Sequence, residues 1–395
     1  MHQSKNHSTV SRRNSSIELL RIIAMLAILG HHLYVSGLGQ AIETSANNVT
    51  RFLFQMTFLP GGWVGDILFF SISAWFIADE VPSLKKNVTR IWNLEREVLF
   101  WSITLFALSI FLKTKGVNPL PENTGWKVFL LKSLLPTSTR LWWYVTSYDL
   151  FLLFSPFIVS GLKRMKQRNH ALLALITFGL WGVGTLFPLF TFDFAKLSVF
   201  TFIFWFILIS YYRWYMKPLS TKTCWLMIIS GEMIYLIFWV GSLFIPWLHS
   251  QQRFIFINTQ LPPLLVSFGL FLLFERFHFS SKIINFIAPS TFAVYLIHQH
   301  SSIGNLLWQK VLVPTTILKN GHPFLFSCAA VIGLFVVFIL ADFIRRLFFH
   351  ITIDRHKDKW LYQLLGSKNF NRIKQSFMKH TASSGNNSPL PSTQA

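Results

Sequence analysis

Glu18, Arg21, His31 and His32 stand inside an otherwise apolar run from Ile17 to about Leu38. Ionisable groups in hydrocarbon are costly, so four of them in one run point to a site. At about 100° per residue, Glu18, Arg21 and Met25 share a helical face, and the eleven steps from Arg21 to His32 return to within about 20° of the same line. Their axial separation is about 16 Å at 1.5 Å per residue. That geometry suits a two-ended substrate, with a guanidinium holding phosphate bidentately and a neutral imidazole taking a proton from a hydroxyl. The competing reading has Arg21 snorkelling to headgroups and His32 satisfying a neighbouring helix. His31, turned by about 100° from His32, faces another helix or the headgroups.

Three further stretches carry chemistry. In GGWVGDILFFSISAWF, Gly61, Gly62 and Gly65 permit close backbone approach, and Ser71, Ser73 and Ala74 offer a small-residue packing surface. Asp66 serves equally well as a buried partner for Arg21 or as a site residue. The block LWWYVTSYDLFLLFSPF sets Trp142, Trp143 and Tyr144 at an interface, as an anchoring belt or as a platform for a sugar ring, with Asp149 deeper. STFAVYLIHQH holds Ser290, Tyr295, His298 and His300, and Tyr295 and His298, three apart, are neighbours on one face. Glu232 and Asp342 read as structural. Cys224 and Cys328, both in apolar stretches, supply neither a disulfide framework nor a metal set.

The elements that must position these residues are membrane helices. The 395-residue chain is 52% hydrophobic and only 13% charged, against roughly 25% charged in soluble proteins. Ten apolar segments of about 20 residues predict an all-α, polytopic transmembrane bundle in the lipid bilayer. They lie near 17–38, 62–79, 96–112, 141–161, 170–190, 196–213, 224–246, 258–275, 283–301 and 325–348. The net charge of +21 would suit nucleic acid in a soluble domain, but the cations lie between apolar blocks, which excludes that class. Of the 36 lysines and arginines, 25 fall in one set of alternate connections and 10 in the other, with Arg21 inside the first span. The positive-inside bias then places both termini in the cytoplasm of a cell-membrane protein. Ser11-Arg12-Arg13 before Ile17 imitates an export signal, but the run is too long and too charged, and reads as an uncleaved first span. Residues 1–16 form a cytoplasmic tail, 17–348 the transmembrane domain, and 349–395 a basic, largely disordered tail. Long outer loops are expected near 39–61, 113–140 and 302–324.

These motifs together resemble the acyltransferase-3 family of integral membrane acyltransferases, many of which O-acetylate bacterial cell-surface carbohydrates. IELLRIIAMLAILGHH resembles its first helix, with Arg21 and His32 at the family spacing. FFSISAW resembles its Phe-Phe-x-x-Ser-Gly motif, LWWYVTSYDLFLLFSP its Leu-Trp-aromatic segment ending in proline, and YLIH its final Tyr-Leu-x-His signature. Two departures stand out: Glu18 where aspartate is common, and Ala74 in place of the glycine after Ser73. The resemblance implies acetyl-CoA or another acyl-CoA as co-substrate, with no bound cofactor or metal, and a carbohydrate hydroxyl as acceptor. It makes His32 and Arg21 catalytic, Arg21 also the donor ligand, and Glu18, Asp66, Ser73, Trp142, Tyr295 and His298 supporting or substrate-binding. The alternative is a transporter or flippase of a lipid-linked saccharide, for which intramembrane charges and aromatic belts would serve as well. Oligomeric state is not set by the sequence.

Overall fold

A computed structural model describes residues 14–121, 124–184, 198–248 and 259–354. Every element among the described residues is helical. Helix α1 (Ser15–Leu33) starts at Asn14, whose side chain accepts from the Ser16 N–H, as an N-cap should. It continues through a π-helical turn (Tyr34–Leu38) into α2 (Gly39–Ser45), so the chain runs on past the histidine pair. Then follow α3 (Asn48–Asp79), α4 (Leu84–Thr114), α5 (Trp126–Leu134), α6 (Trp143–Arg164), α7 (Gln167–Thr177), α8 (Val199–Tyr215) and α9 (Thr221–Phe244). The remainder is α10 (Leu261–Arg276), α11 (Lys282–Ile287), α12 (Thr291–Gln299), α13 (Ser301–Leu306), α14 (Pro314–Leu318) and α15 (Pro323–Ile351).

Six helices among the described residues are long and apolar enough to cross a membrane, Ser15–Ser45 counting as one with α3, α4, α6, α9 and α15. Ten were expected. The other four expected segments hold shorter or interrupted helices: α7 has 11 residues before a π-helical turn (Phe178–Val183) and 185–190 lie outside the described residues, α8 has 17 residues, α10 has 16, and 283–301 is divided into α11, a 3-10 turn at Ala288–Ser290 and α12. The proposed 349–395 tail lies outside the described residues from 355 onward, as does the N-terminal tail before Asn14. Phe157, Leu175, Ile237, Ile344 and Leu347 are exposed on helix surfaces, which is where lipid tails would cover them.

The centre of the bundle is the α1–α3 pair, and glycines explain how close it is. A Cβ on Gly61 would lie 3.0 Å from the Ala27 carbonyl oxygen, and one on Gly65 2.7 Å from that of Ala24. Such approach is available only without side chains. Helix α5 is the main departure from the expected outer loop at 113–140. It folds back along α4, pairing Lys113 with Trp126, Phe106 with Phe129, the Ser102 hydroxyl with the Ser133 carbonyl and Glu95 with Thr137. Helix α6 contains Pro156, which cannot donate to the Leu152 carbonyl one turn back. Asn87 Nδ2 supplies the missing donor at 2.8 Å, tying α4 to α6.

The basic connections collect at one end. Lys163 donates to the Glu80 carbonyl, Arg213 pairs with Asp79, and Arg276 bonds the Leu219 carbonyl and the Thr221 hydroxyl. In the α3–α4 connection, partial burial pushes the Glu80 carboxyl up, but Arg90 at 2.5 Å and Lys86 at 2.9 Å outweigh it and hold it below the usual range. Asp342, read as structural, is fully buried and paired with Arg345, which also reaches Glu97 at 3.3 Å.

Candidate active site

The stripe defined by Arg21 and His32 faces the bundle interior, and one helix reads both ends of it. Thr291 and Phe292 of α12 line a cavity of about 220 Å³ that Arg21 also lines. Two turns along α12, His298 meets His32: Nε2 of one ring is 3.2 Å from Nδ1 of the other.

Proton positions in this pair follow from the carbonyls. His298 Nδ1 lies 2.6 Å from the Val294 carbonyl oxygen, which only accepts, so that nitrogen carries a proton. In a neutral ring Nε2 is then a lone pair, and His32 Nδ1–H donates to it. His32 Nε2 is left as a basic nitrogen on a half-buried ring. His31 is differently committed. Its Nδ1 donates to the Leu59 carbonyl at 2.6 Å, and its ring lies edge-on to Trp63 and directly over Gly62, where a Cβ would be 2.3 Å from Cγ. Its sequence-expected orientation, toward another helix, is met by α3.

Around Arg21 the cavity is walled by Phe69 and Ser73 of α3, Leu94 of α4, and Tyr144 and Tyr148 of α6. Arg21 pairs with Glu18 at 3.1 Å, one turn earlier. Asp66, one of the partners open to Arg21 in the sequence, makes no ion pair with it. It is buried on α3. A run of rings connects the two ends of the site: Tyr144 to Tyr295 at 6.0 Å, Tyr295 to His298 at 6.1 Å, and His298 to His32 at 5.1 Å between centroids.

Residues 14–346 match a family model described as an acyltransferase domain. The chain belongs to the acyltransferase-3 family. It is therefore a multi-pass membrane protein of an acyltransferase family, with the match covering the helical bundle up to the last turns of α15. Searches of the curated proteins and of the solved structures returned no match.

Against this family assignment the expected site residues divide. His32, His298 and Tyr295 come together, and Arg21 and Ser73 line the cavity, with Glu18 paired to Arg21. Trp142 is not an interfacial anchor: it is buried, and its Nε1 donates to the Leu296 carbonyl at 3.1 Å. That carbonyl belongs to the last turn of α12, where no intrahelical donor exists, so Trp142 caps the helix that carries His298. Tyr144 lines the cavity instead of joining a belt. Tyr148 was not singled out in the sequence, although its i, i+4 spacing from Tyr144 marks a shared face. His300 stands apart from the pair, its Nδ1 2.9 Å from the Ser302 hydroxyl and its ring between Phe129 and Trp142. Among the described residues no three His, Cys, Asp or Glu side chains are placed to hold one metal ion.

Proposed function

We propose that this protein transfers an acetyl or other short acyl group from acyl-CoA to a hydroxyl of a cell-surface or lipid-linked carbohydrate. The observation that carries the reading is the Val294–His298–His32 hydrogen-bond chain, which leaves His32 Nε2 basic at one end of a stripe whose other end is a cavity-lining arginine. The CoA phosphates bind Arg21 from the basic, cytoplasmic end. Glu18 orients that guanidinium, and the pantetheine arm passes Ser73, Tyr144 and Tyr148 toward the imidazoles.

His32 Nε2 removes the acceptor hydroxyl proton as its oxygen attacks the thioester carbonyl. The tetrahedral intermediate collapses with cleavage of the C–S bond, and the imidazolium returns the proton to the departing thiolate, giving ester and CoA thiol. His298 accepts from His32 Nδ1–H throughout, which holds the ring in the productive tautomer and stabilises it when charged. Membership of an acyltransferase family supports this chemistry over movement of an unmodified saccharide.

The test is acyl transfer from labelled acetyl-CoA in membranes, with mass spectrometry of surface polysaccharide. His32→Ala is expected to lower turnover by about 10²–10⁴-fold, the usual worth of a general base, with normal accumulation of the protein. Undiminished transfer by His32→Ala would overturn the mechanism.

A further inference from the structure

A second cavity, of about 470 Å³, lies between α3, α8, α9 and α10. Helix α3 separates it from the candidate active site. Ile67 and Ser71 face this cavity, whereas Phe69 and Ser73, about 200° further round the helix, face Arg21. The size falls in the ligand-pocket range of about 300–1,000 Å³. Its walls are almost wholly apolar, formed by side chains such as Leu208, Ile209, Leu264 and Phe268.

Length and charge identify the occupant. The cavity wall runs along α8 from Trp205 to Met216 at the basic end. Those eleven steps span about 16 Å, against about 15 Å for one leaflet's half of a 30 Å hydrocarbon core. Met216 and Leu219 mark the mouth, in the α8–α9 connection, and Met216 is exposed there. The cations at this rim differ in what they already hold. Arg213 is paired with Asp79, Arg276 bonds Leu219 and Thr221, and the Lys163 ammonium sits 5.5 Å from the Trp214 ring centre. Lys217 and Lys222 are exposed and pair with no acid among the described residues.

We propose that this cavity holds one acyl chain of an anionic membrane phospholipid, with its phosphate on Lys217 and Lys222. A chain of leaflet length, entering beside two uncommitted lysines, matches both the depth and the charge of the site. The proposal does not depend on the acyl-transfer reading, since α3 stands between the two cavities.

The experiment uses the full-length protein in detergent with a phosphatidylglycerol carrying a photoactivatable group on one acyl chain, and maps the adducts by peptide mass spectrometry. Adducts are expected on α8 and α10 around Ile209 and Leu264, and none on Phe69 or Ser73, the face of α3 turned toward Arg21. Unlabelled phosphatidylglycerol should compete about fivefold better than phosphatidylcholine, as two solvent-exposed ion pairs would give. Leu264→Trp, which places a larger ring across the cavity wall, should reduce labelling there by at least about half. Lys217→Ser with Lys222→Ser should abolish the preference for phosphatidylglycerol while leaving the chain site labelled. These two substitutions are on exposed positions and decide the matter if the tryptophan variant fails to fold. Adducts scattered over the lipid-facing surface, equal competition by phosphatidylcholine, or preferential displacement by palmitoyl-CoA would each overturn the proposal.

Discussion

Replacing Gly62 by alanine tests whether the α1–α3 approach positions the imidazoles. The added methyl carbon would lie 2.3 Å from His31 Cγ, 2.5 Å from Cδ2 and 2.8 Å from Cβ. Carbon atoms settle at about 3.5–4.0 Å, so ring and backbone must retreat by about 1 Å or more. The ring has little freedom, being bonded to the Leu59 carbonyl and packed against Trp63 and His32. Overpacking of this kind costs about 1–3 kcal/mol, and a buried imidazole that loses its acceptor about 1–3 kcal/mol more. Because His32 is the next residue, the shift is transmitted to its 3.2 Å contact with His298. A misplacement of about 1 Å at reacting groups lowers turnover on the order of 10²-fold. Acyl transfer per molecule of membrane-inserted Gly62→Ala should fall by that order, with thermal stability in detergent reduced as well. Adding His31→Ala removes the clashing ring and should restore part of both, a coupling that a double-mutant cycle reads directly. Wild-type stability and turnover in Gly62→Ala would refute the reasoning.

Other expectations follow from single contacts. His298→Ala removes the acceptor that sets the His32 tautomer, so turnover should fall at least about tenfold with little change in the KM for acyl-CoA, while a general-base loss of about 10²–10⁴-fold is the ceiling. A rise in KM alone would assign His298 to binding. Arg345→Ala strands Glu97 and Asp342 without their shared cation; breaking a buried pair this way costs about 3–5 kcal/mol, so detergent-solubilised protein should melt markedly earlier. Glu80, held low by Arg90 and Lys86, contributes stability that is present above its ordinary value of 4.5 and is lost as pH falls through its lower folded value. Melting curves of wild type and Glu80→Gln should therefore differ above about pH 5, by less than about 1 kcal/mol for a pair that solvent reaches, and converge in acid. A constant difference down to pH 3 would contradict that sign.

How far the sequence could be read depended on how local each cause is. The shared face of Arg21 and His32 followed from helical periodicity, and the close approach at Gly61, Gly62 and Gly65 from the absence of side chains, and both are present. Trp142 was legible only as an amphipathic aromatic. Its donor role at Leu296 spans 154 residues, and nothing in its own neighbourhood encodes that carbonyl. The fold-back of α5 was hidden for a similar reason: an apolar segment after a polar turn reads as a loop until α4 offers Phe106 and Ser102 as partners. The helix breaks at Pro289 and after Gln299 were not legible, because hydropathy averages over such interruptions.

Composition and motif order were enough to establish a helical membrane bundle of the acyltransferase-3 family, since hydrocarbon tolerates only internally bonded backbone and that demand is met segment by segment. Which partner each imidazole engages was decided by tertiary structure alone. Imidazoles next to each other in sequence are equivalent until one meets the Leu59 carbonyl on α3 and the other meets His298, 266 residues away, and only those contacts fix where the protons sit.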